Sequence, residues 1–169
     1  MHLRNTVPCN LPFQGSVMFQ YEFELNNQPM STFRLSGQVY SAFSGLGKHA
    51  NQRAMACMKH VGPIPPGRYF ILDRQSGGRL GKVRDLVTGR TDWFSLYAID
   101  QRLDDETYCD QVSRGNFRLH PKGGLGRSEG CVVIDHEADF RHLRMVLTSV
   151  SPVKVTGTDL KVYGTLQVS

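Results

Sequence analysis

The chain lacks the features that mark several common classes of protein. No stretch approaches the roughly 20 apolar residues of a membrane span. The four cysteines, Cys9, Cys57, Cys109 and Cys131, contain no CxxC pair, so zinc-ribbon spacing is absent. They allow one disulfide without demanding it. The lysines at 48, 59, 82, 122, 154 and 161 are dispersed, and no nucleic-acid recognition motif accompanies them. The net charge of +5 therefore reads as a solvated basic surface, suited to anionic surroundings, and not as a nucleic-acid footprint. Internal repeats, low-complexity runs and interdomain linkers are missing too. The N-terminal MHLRNTVPCNLPFQGSV holds no apolar core of secretory-signal length and no small-residue cleavage site. The expectation is synthesis in the cytoplasm and export by a route that needs no cleavable signal.

What remains is one domain over residues 1–169, globular in composition, with 40% hydrophobic and 21% charged residues. Phe19, Tyr21, Phe23 and Leu25 alternate with Gln20, Glu22 and Glu24, the period of a half-buried strand. Asn26-Asn27-Gln28-Pro29 turns the chain, and Met30 to Leu35 returns as a hairpin partner. A third strand follows at Gln38 to Phe43, then a weak helical stretch from Ala50 to Lys59. The hairpin within residues 15–43 is a candidate cap over a groove. Three prolines between Gly62 and Gly67 exclude a helix and lead into a strand over Arg68 to Leu72. Gly77-Gly78 and Gly81 mark turns. Further strands are expected at Trp93–Ile99, Gly115–His120 and Cys131–Ile134, with two more between Val153 and Val168. One substantial helix lies between Asp135 and Val150, with Phe140, Leu143, Val146, Leu147 and Val150 as its buried stripe and Asp135 as N-cap. The fold class is mainly β (α+β).

Chemistry concentrates between Gly115 and Asp135. His120 closes one strand and Cys131 opens the next, with Gly123, Gly124, Gly126 and Gly130 in the connecting loop. Such a loop can fold back until the imidazole meets the thiol. A neighbouring imidazolium can lower a thiol pKa by several units and create a thiolate at neutral pH. Gly130 lets the backbone approach closely, and its N–H and that of Cys131 can point at a developing oxyanion. Ser128 is placed to orient the pair or to bind substrate. The alternative is that Cys131 is a small buried hydrophobe and His120 a structural residue.

Ser128-Glu129-Gly130-Cys131, preceded by a strand ending in His120, resembles the signature of YkuD-type L,D-transpeptidases. Ile64-Pro65-Pro66-Gly67-Arg68-Tyr69 and Phe43-Ser44-Gly45 extend the likeness, which is closest to the L,D-transpeptidase effectors of type VI secretion. It spans roughly residues 15 to 150 and implies an L,D-transpeptidase-like β-sandwich or barrel. The resemblance further implies that Cys131 attacks the diaminopimelate–D-alanine bond of peptidoglycan tetrapeptide stems. His120 acts as base and acid, with its ring oriented by the carbonyl of Pro121. Water as acceptor gives L,D-carboxypeptidase activity, a free D-amino acid gives exchange, and another stem gives a cross-link. No metal or other cofactor is called for. Delivery by the type VI apparatus, action in the periplasm of target bacteria and a cognate immunity protein are implied as well. Ser44 and Gly45 would border the substrate groove. Two departures accompany the likeness. The His–Cys interval holds ten residues, as in the effector branch, and Val133 stands where an arginine commonly follows the cysteine. Arg118 and Arg127 are the candidates to supply that missing substrate contact.

Other readings compete. A papain-like or NlpC-type peptidase also uses Cys and His, but there the cysteine comes first and sits at a helix N-terminus. Cys109, His120, Cys131 and His136 have the residue types of a zinc site without its paired spacing. A non-catalytic wall-binding module could use Trp93, Phe94 and Tyr97, though their parity suits a strand buried on both faces. Asp104-Asp105-Glu106 reads as a solvated acidic turn.

Overall fold

A computed structural model describes residues 18–74, 92–123 and 128–169. The turns expected at Gly77-Gly78 and Gly81 lie outside these residues, as do Cys9, Gly124, Gly126 and Arg127. The strands are β1 (Phe19–Phe23), β2 (Ser31–Leu35), β3 (Gln38–Ser44), β4 (Gly67–Asp73), β5 (Phe94–Ala98) and β6 (Glu106–Cys109). They continue as β7 (Val112–Gly115), β8 (Arg118–Pro121), β9 (Val132–Ile134), β10 (Val153–Lys154), β11 (Lys161–Val162) and β12 (Gly164–Val168). Among the described residues the single α-helix, α1, spans Glu137–Thr148. Eight strands close into a barrel in the order β1-β12-β4-β5-β8-β9-β3-β2. The chain is thus a mainly β domain with one helix after the cysteine strand.

Alternation builds the wall. Tyr21, Phe23, Phe33, Leu35, Tyr40 and Ala42 point into one core, while Gln20 and Glu22 face solvent. Phe140, Leu143 and Leu147 of α1 join that core, beside Phe94, Leu119, Val132 and Ile134. Two joins in the barrel are parallel, β1 with β12 and β8 with β9. A parallel pair needs a connection that carries the chain back along the strand. The glycine-rich segment between Pro121 and Val132 makes that return, which positions the site.

Several expectations change. The weak helix expected over Ala50–Lys59 is one 3-10 turn, Arg53–Met55, with another just before the range at Gly47–His49. His136, not Asp135, occupies the N-cap of α1, because the Asp135 carboxylate pairs with Lys122 at 2.7 Å. The hairpin proposed as a cap is barrel wall: β1 and β2 lie three strands and two strands from β9 around the barrel. Its turn still matters, since Asn27 accepts bonds from Gln52 and from the Arg53 amide and so anchors the 3-10 turn. The antiparallel pair β6–β7 was not expected, and its Cys109 is disulfide-bonded to Cys57 with Cα atoms 5.1 Å apart. Among the described residues no helix is long and apolar enough to cross a membrane.

Candidate active site

Register puts His120 and Cys131 together. Leu119 pairs with Val132, His120 with Val133 and Pro121 with Ile134. Side chains of paired residues in a parallel ladder share a face. Leu119, Val132 and Ile134 are wholly buried in the barrel core. His120 and Val133 therefore point to the opposite side. Cys131, one step before β9, falls on that same outward side, next to Arg118. By this register Cys131 stands two positions from His120 along the β8–β9 ladder.

The His120 ring is 6% exposed and held from two directions. Its Nδ1–H donates to the Pro121 carbonyl at 2.8 Å. A carbonyl only accepts, so Nδ1 carries the proton and Nε2 keeps the lone pair of the neutral ring. Trp93 stacks on the imidazole with centroids 4.1 Å apart and planes 15° off parallel. The sequence reading placed Trp93 in the core of a strand. It sits one residue before β5, and Phe94 is the core residue.

Ser128 organises the cysteine loop from beneath. Its buried hydroxyl donates to the Cys131 carbonyl at 2.7 Å and accepts from the amides of Gly45 (3.2 Å) and Gly130 (3.3 Å). The buried Ser44 hydroxyl donates to the Gly130 carbonyl at 3.3 Å and accepts from the Ile64 amide at 2.8 Å. Both serines are fully engaged with backbone, so Ser44 and Gly45 brace the loop instead of bordering a groove. Gly130 has φ +116, and a Cβ there would lie 2.7 Å from the Arg114 guanidinium and 2.8 Å from the Phe117 ring. Its N–H is already spent on Ser128, so the Gly130 member of the pair expected to meet an oxyanion is engaged.

Cys131 is half-buried, with Sγ 4.0 Å from the Asn116 carbonyl oxygen. Burial pushes the thiol up from its ordinary value; the Arg118 amide and guanidinium pull it back, while Glu129 and Asp105 push further up. The balance favours a neutral resting thiol over the thiolate expected from sequence. The Arg118 guanidinium, 14% exposed, makes a bidentate pair with Asp105, one arm at 2.7 Å. That pairing removes Asp105 from the solvated acidic turn and commits Arg118 to the protein.

A cleft of about 450 Å³ opens at Cys131, lined among others by Lys59, His60, Arg114, Asn116 and Glu129. One lip is the segment around Lys59 and the other is the β6–β7 hairpin. Buried Arg114 ties them together, donating to the carbonyls of Ala56, Gly62 (3.0 Å) and Pro63 (3.3 Å). The Cys57–Cys109 disulfide ties them a second time. None of these lip residues was singled out for the site from sequence. The contacts that build the lips join positions some fifty residues apart, and no local pattern records them.

A closed β-barrel with a histidine on one strand and, at the start of the next, a cysteine that opens onto a cleft fits an enzyme of the L,D-transpeptidase type. Residues 38–158 match the family model described as the Tlde1 domain, and the chain belongs to that family. It is a family of type VI secretion effectors, with an activity of the transpeptidase type directed at peptidoglycan in target cells. No curated protein and no solved structure matches the chain.

Proposed function

We propose that this effector is a cysteine-dependent L,D-carboxypeptidase and L,D-transpeptidase that attacks the diaminopimelate–D-alanine bond of tetrapeptide stems. The observation that carries the reading is the His120 ring, fixed with Nε2 as its basic nitrogen on the strand beside Cys131. With a neutral resting thiol, deprotonation belongs to the attack itself: Nε2 takes the thiol proton as Sγ adds to the carbonyl carbon. The Cys131 N–H is the loop donor proposed for the oxyanion. The imidazolium returns its proton to the departing nitrogen, D-alanine leaves and a thioester remains. Water then gives the tripeptide, a free D-amino acid gives exchange, and the amine of another stem gives a cross-link. In each case His120 removes the acceptor's proton and Cys131 recovers its own.

The serines and Gly45 hold the nucleophile's backbone, and Arg118 tempers its charge. Arg127, outside the described residues, stays a candidate substrate contact on the strength of the sequence likeness alone. The opening of β9 by Cys131 disfavours the papain-like alternative, which needs its cysteine at a helix N-terminus. The effector is expected to act in the periplasm of target bacteria, with a cognate immunity protein protecting the producer.

The test is purified protein with diaminopimelate-type tetrapeptide muropeptides, with and without a D-amino acid, read by mass spectrometry beside Cys131→Ala. Loss of the terminal alanine or its exchange, absent in the variant, is the expected result. Cleavage elsewhere in the stem, or no change with wild-type protein, overturns the reading.

A further inference from the structure

We propose that Trp93 is a positioning residue for His120, restraining the imidazole against its face where the Pro121 bond restrains it in its plane. This rests on the thiol–imidazole chemistry proposed above. The bond from Nδ1–H to the Pro121 carbonyl fixes where one ring nitrogen points. Hydrogen-bond geometry at a carbonyl is broad, so the ring can still rock about the Nδ1···O line. The indole lies 4.1 Å away and nearly parallel, and it blocks that rocking on one face. The two restraints act at right angles, one in the plane of the ring and one against its face.

Trp93 is itself held. Arg144 of α1 donates to the Asp92 carbonyl at 3.1 Å and pairs with the Asp92 carboxylate at 3.5 Å. Phe94, on the other side, is locked in the barrel core against Phe140 of the same helix. Between these two anchors, Trp93 is presented outward to His120. The helix thus reaches the imidazole through Asp92, Trp93 and the stack. The indole face also suits the charge that appears when the ring takes the thiol proton, because an aromatic face attracts a cation.

Two readouts decide the matter. Trp93 is the sole tryptophan, so the intrinsic fluorescence of the protein reports on this contact. Acrylamide quenching is expected to rise in His120→Ala, where one indole face loses its cover. Equal quenching in variant and wild type overturns the stack. In muropeptide turnover, Trp93→Leu is expected to lower kcat about 10- to 100-fold, the scale of a misplaced catalytic group. KM should stay within about twofold, as befits a residue that does not touch substrate. Trp93→Phe keeps a stacking face and should restore kcat to within about threefold of wild type. An unchanged kcat in Trp93→Leu, or a phenylalanine variant as impaired as the leucine one, overturns the positioning role. If wild-type protein shows no turnover, the proposed function fails, and the stack stands or falls on the quenching alone.

Discussion

Strands β8 and β9 carry two unlike faces. Inward, Leu119, Val132 and Ile134 are sealed in hydrocarbon with no polar neighbour to satisfy. Outward, Arg118, His120 and Cys131 sit among hydrogen bonds, an ion pair and a stacked ring. A two-residue period separates the tasks: one parity supplies stability and the other chemistry. A substitution on either face should therefore leave a signature of its own kind, and four variants and one titration probe this division.

The largest effect is expected from Cys131→Ala, which should reduce muropeptide turnover by at least about 10³-fold, the scale seen when a nucleophile is removed. Its melting temperature should stay within about 2 °C of wild type, as for a change that empties no core. A large drop in melting temperature would break the comparison, since the outward face would then be core as well. Next comes the covalent brace on the cleft lips. Replacing Cys57 and Cys109 by serine releases a 52-residue separation and should cost about 4 kcal/mol by chain entropy, read from urea midpoints. Unchanged midpoints would show that Arg114 and the ladders hold the lips alone.

Leu119→Ala, on the inward face, should cost about 3 kcal/mol in urea unfolding. Its effect on turnover at a temperature where it is folded should be small; a loss rivalling that of Cys131→Ala would erase the distinction between faces. Ser128→Ala leaves the Gly45 and Gly130 amides without their acceptor and should cost about 1–3 kcal/mol. A fall in kcat larger than that stability loss explains would move Ser128 from brace to chemistry. The smallest effect is in the thiol itself. Its raised pKa means that the neutral form dominates at pH 7 and that thiolate appears only as pH climbs beyond the ordinary thiol range. In a Cys9→Ser background, iodoacetamide should label Cys131 slowly at neutral pH and faster only in that alkaline range. Rapid labelling at pH 7 would show a thiolate already formed.

Much of the barrel was legible because its strands obey a strict parity, as in Phe19 to Leu25. His120 and Cys131 were legible because one glycine-rich loop joins them, and the ring's bond to Pro121 is local to a dipeptide. The rest depends on distant pairings. The β6–β7 hairpin buries only Arg114 outright and carries no alternating apolar residues, so only the strand pairing and Cys57 reveal it. Arg118 reads as a free cation until Asp105 is brought beside it by folding. Of the two parts expected for Ser128, its bonds fit orientation of the cysteine loop, while Trp93, the aromatic assigned to the core, faces the histidine. Residue type suggested the first reading; hydrogen-bond partners and strand phase decided the second.

The order of staves has a consequence in time. β8 and β9 lie well before the last strand, yet the barrel closes only when Gly164–Val168 slides between β1 and β4. A chain that has β9 but not yet β12 is a barrel with one stave missing, its apolar interior open along the unpaired edges of β1 and β4. Pairings so far apart in sequence form slowly. Whatever work the outward face performs must wait for Gly164–Val168, made about thirty residues after the strands that carry that face, so synthesis keeps the growing polypeptide idle until that stave arrives.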